Sequence, residues 1–120
     1  MTVRKVLCVD DSPAELDLIR AILQSANLSV VTATNGKDAI ERARAEKPDL
    51  IFLDIVMLDM DGFTVMRELQ KEAATKTIPV VFVSSKSQKA DQIWARMQGA
   101  SGFIPKPVSE EAILQEILKY

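Results

Sequence analysis

The chain of 120 residues contains no histidine and a single cysteine, Cys8. Without histidine there is no Ser-His or Cys-His catalytic pair and no His-containing zinc site, and one thiol cannot build a disulfide framework within the chain. Long apolar runs are also missing. Met1-Thr2-Val3-Arg4-Lys5 is followed by only four apolar residues, 6 to 9, too few for a signal-peptide core, and no stretch approaches the length of a membrane span. The expectation is a cytosolic protein with no membrane insertion. An excess of charge of one sign is absent too: 15 Lys+Arg stand against 17 Asp+Glu, a net charge of -2, so the broad positive field that draws nucleic acid is lacking. No linker, low-complexity segment or internal repeat interrupts the chain, and its length suits one core, so residues 1–120 are expected to form one domain with no output domain attached. Cys8 itself, on an apolar stretch, reads as a small core residue.

What is present is the composition of an ordinary globular domain, 48% hydrophobic and 27% charged. Short apolar runs alternate five times with amphipathic stretches, the signature of an α/β domain with a mainly parallel sheet. Strands are predicted at residues 5–9, 29–32, 50–53, 80–83 and 102–104. The first, third and fourth are apolar on consecutive residues, as strands covered by helices on both faces must be. Ser29-Val30-Val31-Thr32 is short and half polar, and Pro105 ends the fifth run, so the second and fifth strands belong at the edges. The order 2-1-3-4-5 with right-handed crossovers fits that placement. Ser12-Pro13-Ala14-Glu15 reads as a capping box with proline at the first helical position, leading into a stripe of Leu16, Ile19 and Leu23. Further helices are expected at about 37–46, after the Asn35-Gly36 turn, 63–72, 88–98, and from 109 to the end.

In an open parallel sheet the ligand site lies beyond the carboxyl ends of the strands. There this chain is unusually polar: strand one ends in Asp10-Asp11, strand three in Asp54, strand four in Ser84-Ser85 and strand five in Lys106 between two prolines. Each position taken singly is what loops and helix caps ordinarily contain. Together they pose a physical problem, because three converging carboxylates repel one another unless a cation sits among them. An oxygen-only donor set suits Mg²⁺, which keeps waters and favours phosphate. A carboxylate beside such a cation can attack phosphorus to give an aspartyl phosphate, with the metal and a lysine neutralising the equatorial oxygens and a hydroxyl bonding one of them. Asp54 is the central candidate, since strand three lies mid-sheet between Asp10-Asp11 and Ser84.

Val9-Asp10-Asp11-Ser12, Leu53-Asp54, Met60-Asp61-Gly62, Val83-Ser84 and Lys106-Pro107 closely resemble the receiver domains of two-component response regulators. The resemblance covers essentially the whole chain and implies the flavodoxin-like, CheY-like doubly wound fold of five parallel strands and five helices, in a stand-alone regulator. The segment Asp91-Gln92-Ile93-Trp94 to Gln98-Gly99-Ala100, with Lys106-Pro107-Val108, is more specifically similar to single-domain regulators of type IV pilus twitching motility. Carried over position by position, the resemblance makes Asp54 the phosphoacceptor and Asp11 a direct magnesium ligand. Asp10 acts through water, and Val56 binds through its backbone carbonyl. Ser84 and Lys106 contact the phosphoryl group, and Mn²⁺ substitutes for Mg²⁺. The donor implied is a histidine kinase; the protein is a phosphoacceptor that catalyses only its own phosphotransfer and slow dephosphorylation. Ser84 and Phe103 form the switch, and a motility or chemotaxis-type partner docks on the helix 4, strand 5, helix 5 face of a monomer. The Lys106-Pro107 bond is implied to be cis, although trans is the default from sequence alone.

Three positions depart from the family pattern. Leu58 replaces a frequent proline, Phe103 lacks the hydroxyl of the common tyrosine, and Lys86 places a charge two residues after Ser84. Asp59 and Asp61 read as helix caps rather than further metal ligands. Trp94, beside an apolar stripe of Ala90, Ile93 and Met97, reads as core-edge packing. The same architecture hosts flavin carriers, but Asp10-Asp11 would repel an FMN phosphate. An aspartate-nucleophile phosphatase needs a second acid two residues after its nucleophile, and Val56 and Ser12 stand there. A phosphate sink or phosphorylation-independent scaffold would use the same residues as the switch.

Overall fold

The three runs of consecutive apolar residues form the middle of the sheet. The computed structural model describes residues 2–120, in which β1 (Lys5–Val9), β3 (Leu50–Leu53) and β4 (Val80–Ser84) are flanked by β2 (Ser29–Ala33) and β5 (Gly102–Pro105). All pairings are parallel, and the order is β2-β1-β3-β4-β5. Alternation along each central strand divides the core in two. Leu7, Val9, Ile51, Leu53 and Phe82 face one side with Ala39, Ile40, Val65, Met66 and Leu69. Val6, Cys8, Leu50, Phe52, Val81 and Val83 face the other with Leu16, Ile19, Leu23 and Ile113. Each fully buried Leu, Ile or Phe contributes about 1.5 to 3 kcal/mol of transfer free energy, so this two-sided burial fixes the sheet against its helices.

The helices start at chemically legible caps. Helix α1 (Pro13–Ser25) opens at Ser12, whose side chain accepts the Glu15 N–H. The predicted capping box is only half made, because the Ser12 N–H donates instead to Asp10 Oδ1 at 2.9 Å. Asn35 caps α2 (Gly36–Glu46), Asp61 caps α3 (Gly62–Gln70), and Ser109 caps α5 (Glu110–Ile117). A reciprocal box does occur at α4 (Lys89–Met97), between Gln88 and Asp91. Helix α3 stops before the predicted Glu72, and α4 is shorter than predicted by one residue at each end, the scale of fraying usual at helix termini.

Helix α4 departs most from expectation. Its one buried residue is Ala95, whereas Ile93 and Trp94 are half exposed and Met97 is largely exposed. The apolar stripe read from the sequence therefore turns outward, and small Ala95 makes the approach to the sheet.

Candidate functional site

The carboxyl ends of β1, β3, β4 and β5 bring the predicted residues together. Asp10 and Asp54 follow adjacent strands. Asp10 N–H donates to Ala33 and Asp54 N–H to Val9, which extends the ladder one step and fixes where each side chain leaves the sheet. Both carboxylates are nearly buried, at 2% and 5% exposure, while Asp11 is exposed. One oxygen from each of Asp10, Asp11 and Asp54 lies within 4.8 Å of the others. Lys106 reaches into this cluster from the end of β5: its Nζ stands 2.7 Å from Asp10 Oδ2 and 3.3 Å from Asp54 Oδ2. The Lys106–Pro107 bond is cis.

Burial pushes the Asp54 carboxyl above its ordinary range; the Lys106 ammonium opposes that rise and the Asp10 charge adds to it. For Lys106, burial works against the ammonium, but the bond to Asp10 and the nearby Asp54 charge outweigh it and raise its pKa. The site thus holds more negative charge than one lysine neutralises. Three hard oxygen donors with one exposed member fit a divalent cation such as Mg²⁺, which accepts carboxylates and retains waters. Asp10, Asp11 and Asp54 are the side chains able to hold it.

Ser84 ends β4 fully buried, with its Oγ accepting the Lys86 N–H at 3.1 Å and its carbonyl accepting the Lys106 N–H at 3.0 Å. Val56 sits two residues beyond Asp54, donating its N–H toward Asp54 Oδ1 at 3.4 Å, with its side chain exposed. Phe103 is half-buried on β5, packed against the core side that carries α2, α3 and α4 and paired in register with Phe82.

The loop between β3 and α3 has determinants that sequence reasoning caught only in part. Gly62 donates its N–H to the Ile55 carbonyl at 2.7 Å, and a Cβ there would meet the Asp54 backbone oxygen at 2.3 Å. Only glycine lets α3 start so close to Asp54. Asp61 caps α3 through the Thr64 N–H, as expected. Asp59 caps a different helix, accepting the Gly36 and Lys37 N–H groups at the start of α2. Those bonds hold the Asp59 carboxyl below its usual range. Between these anchors Leu58 projects at 97% exposure. Trp94 contacts Phe63 edge-on at 6.4 Å, and Phe63 leans on Phe82 at 5.0 Å, so the tryptophan packs at the core edge while keeping a free face.

A family model described as response regulator receiver domain matches residues 6–118. The chain is a response regulator receiver domain. It is 43% identical over 113 residues to Protein PilH of Pseudomonas aeruginosa, covering 94% of this chain and 93% of that one. Protein PilG of the same organism is 32% identical, covering 94% and 84%. The chain spans only 25% of the response regulator PleD of Caulobacter vibrioides, to which it is 36% identical. Among solved structures, Vibrio cholerae chemotaxis protein CheY4 superposes with a TM-score of 0.91 at 27% identity, covering 98% of each chain. The receiver fold expected from Asp10-Asp11, Asp54, Ser84 and Lys106 is therefore the observed one. Among the described residues no helix is long and apolar enough to cross a membrane.

Proposed function

We propose that this receiver domain takes a phosphoryl group onto Asp54 from the phosphohistidine of a histidine kinase, and that the resulting acyl phosphate changes its affinity for a motility or chemotaxis-type partner. The observation that carries the reading is the setting of Asp54: a buried carboxylate at the end of the central strand, beside the Lys106 ammonium and within 4.8 Å of two further carboxylates.

In the transfer, an Asp54 oxygen attacks phosphorus as the P–N bond to the kinase imidazole breaks, and the bonding pair returns to the ring nitrogen. One O–P bond forms and one P–N bond is lost. Lys106 donates to a phosphoryl oxygen, and its existing tie to Asp10 keeps the ammonium in place before the donor arrives. Ser84 offers its hydroxyl proton to a second oxygen while its Oγ still has a lone pair for the Lys86 N–H. A bound Mg²⁺, held by Asp11, Asp54 and the Val56 carbonyl, with Asp10 acting through water, supplies charge neutralisation to the transferring group. Drawing Ser84 toward the phosphoryl group then favours Phe103 turned inward and alters the α4, β5 and α5 face, a shift between existing conformations.

The test is intact mass after incubation with a small acyl-phosphate donor. The wild type should gain one phosphoryl unit only with Mg²⁺ present, and Asp54→Asn should gain none. A folded wild type that gains nothing would overturn the proposal.

A further inference from the structure

Helix α4 is held unlike its neighbours. Helices α1, α2 and α3 each bury four residues, whereas α4 buries Ala95 alone and presents Ile93, Trp94 and Met97 to solvent. With so little apolar area removed from water, core packing alone fixes this helix weakly. Its N-terminus, by contrast, is tied repeatedly to the loop that follows Ser84. Asp91 Oδ2 accepts the Gln88 N–H at 3.0 Å, and Asp91 Oδ1 receives the Lys86 ammonium at 2.9 Å. Gln92 Nε2 donates to the Ser87 carbonyl at 3.0 Å. The Asp91 side chain is only 16% exposed despite its surface position, and the Lys86 contact holds its carboxyl below the usual range. The other end of this chain of contacts is the Lys86 N–H on Ser84 Oγ.

We propose that the Lys86–Asp91 ion pair is a clasp that fixes α4 in its resting position and couples Ser84 to the exposed apolar face of that helix. The coupling rests on the phosphoacceptor reading above; the positioning of α4 does not. Lys86 belongs to both halves. Its backbone senses where the Ser84 hydroxyl points, and its side chain holds the first turn of α4 through Asp91. When Ser84 turns inward, residues 85–88 must shift, and the clasp opposes that shift until Lys86 and Asp91 part. Asp91 is thus a positioning residue for the switch, touching neither the phosphoryl group nor the acidic cluster.

Two measurements separate this inference from the reading beneath it. The first is amide hydrogen exchange of the unmodified protein. Asp91→Asn keeps an oxygen acceptor for the Gln88 N–H but loses the charge pair, and residues 88–97 should exchange faster while α1 and α2 are unchanged. Unchanged exchange at 88–97 would overturn the clasp whatever happens at Asp54. The second is the emission of Trp94, the one tryptophan of the chain, during titration with beryllium fluoride and Mg²⁺, a mimic of a carboxylate-bound phosphoryl group. Asp91→Asn and Lys86→Met should each lower the half-saturating concentration about fivefold, within the range of a partly exposed ion pair, and the double variant should go no further. Helix capping lost for purely structural reasons would lower Tm without moving that midpoint. Wild-type midpoints in both variants, or additive effects in the double, would overturn the coupling. A wild type that takes up phosphate from a small acyl-phosphate donor with Mg²⁺ but whose Trp94 emission ignores the mimic would overturn the coupling. A wild type that takes up none, with exchange at 88–97 still faster in Asp91→Asn, would overturn the phosphoacceptor reading and leave the positioning of α4 by the ion pair standing.

Discussion

Replacing Asp54 by asparagine should make the protein more stable when divalent cations are absent. Carboxylate oxygens of Asp10, Asp11 and Asp54 lie within 4.8 Å of each other. At an effective dielectric of about 20, each pair at that separation repels by at least about 3.5 kcal/mol. Lys106, 3.3 Å from Asp54, returns about 5 kcal/mol on the same scale. Two repulsions and the lost hydration of Asp54 exceed that attraction, in agreement with its raised pKa. Screening at the exposed Asp11 trims the difference, so Asp54→Asn should gain about 1 to 2 kcal/mol, or about 4 to 8 °C in Tm. Thermal unfolding in EDTA at low ionic strength reads this directly. Saturating Mg²⁺ should reverse the order, because a ligand at a hundred times its Kd stabilises the wild type by about 2.7 kcal/mol and the variant has lost a ligand. An asparagine variant less stable than wild type in EDTA, or a gap that Mg²⁺ leaves unchanged, would refute the electrostatic reasoning.

Gly62→Ala should both destabilise the fold and slow phosphorylation, since the new Cβ falls 2.3 Å from the Asp54 backbone oxygen, which cannot move without displacing the acceptor; unfolding and transfer rate measured together check it. Ile113→Ala should cost about 2 to 4 kcal/mol in urea unfolding, because the side chain is fully buried between α5 and the sheet, and phosphorylation of the folded fraction should survive. Tyr120, the one tyrosine, has its hydroxyl pushed up to about 12 by burial and by its bond to Glu116. A pKa raised on folding means that this stability is intact below the unfolded value, near 10, and is lost as pH rises toward 12. The wild type should therefore lose more stability than Tyr120→Phe between those pH values, and parallel stability curves would contradict the assignment.

The sheet was legible because burial on both faces leaves consecutive apolar residues at 6–9, 50–53 and 80–83, and because Pro105 and the half-polar β2 run mark edges. The site was legible for a related reason: in such a sheet the residues following the strands converge, so Asp10, Asp11, Asp54, Ser84 and Lys106 did not need to be close in sequence. Contacts set by loop shape were not legible. Asp59 reaches back 23 residues to cap α2, a pairing that follows from how the β3–α3 loop folds over and from no local motif. Periodicity gave α4 an apolar stripe without saying which way it faces; the packing of Ala95 decided that. Glu116 looks like a solvated acid on α5, yet it is 6% exposed, bonded by Lys119 and Tyr120 from the segment just past the end of α5, over a glycine at 102 whose missing Cβ makes the room.

The most direct test of phosphoacceptor chemistry maps the modified residue. Protein treated with an acyl-phosphate donor and Mg²⁺ is reduced with borohydride, which converts an aspartyl phosphate to homoserine, and its peptides are sequenced by mass spectrometry. Homoserine at position 54 alone is the expected result. Homoserine at position 10 or 11, or none in a folded sample, would contradict the assignment of Asp54.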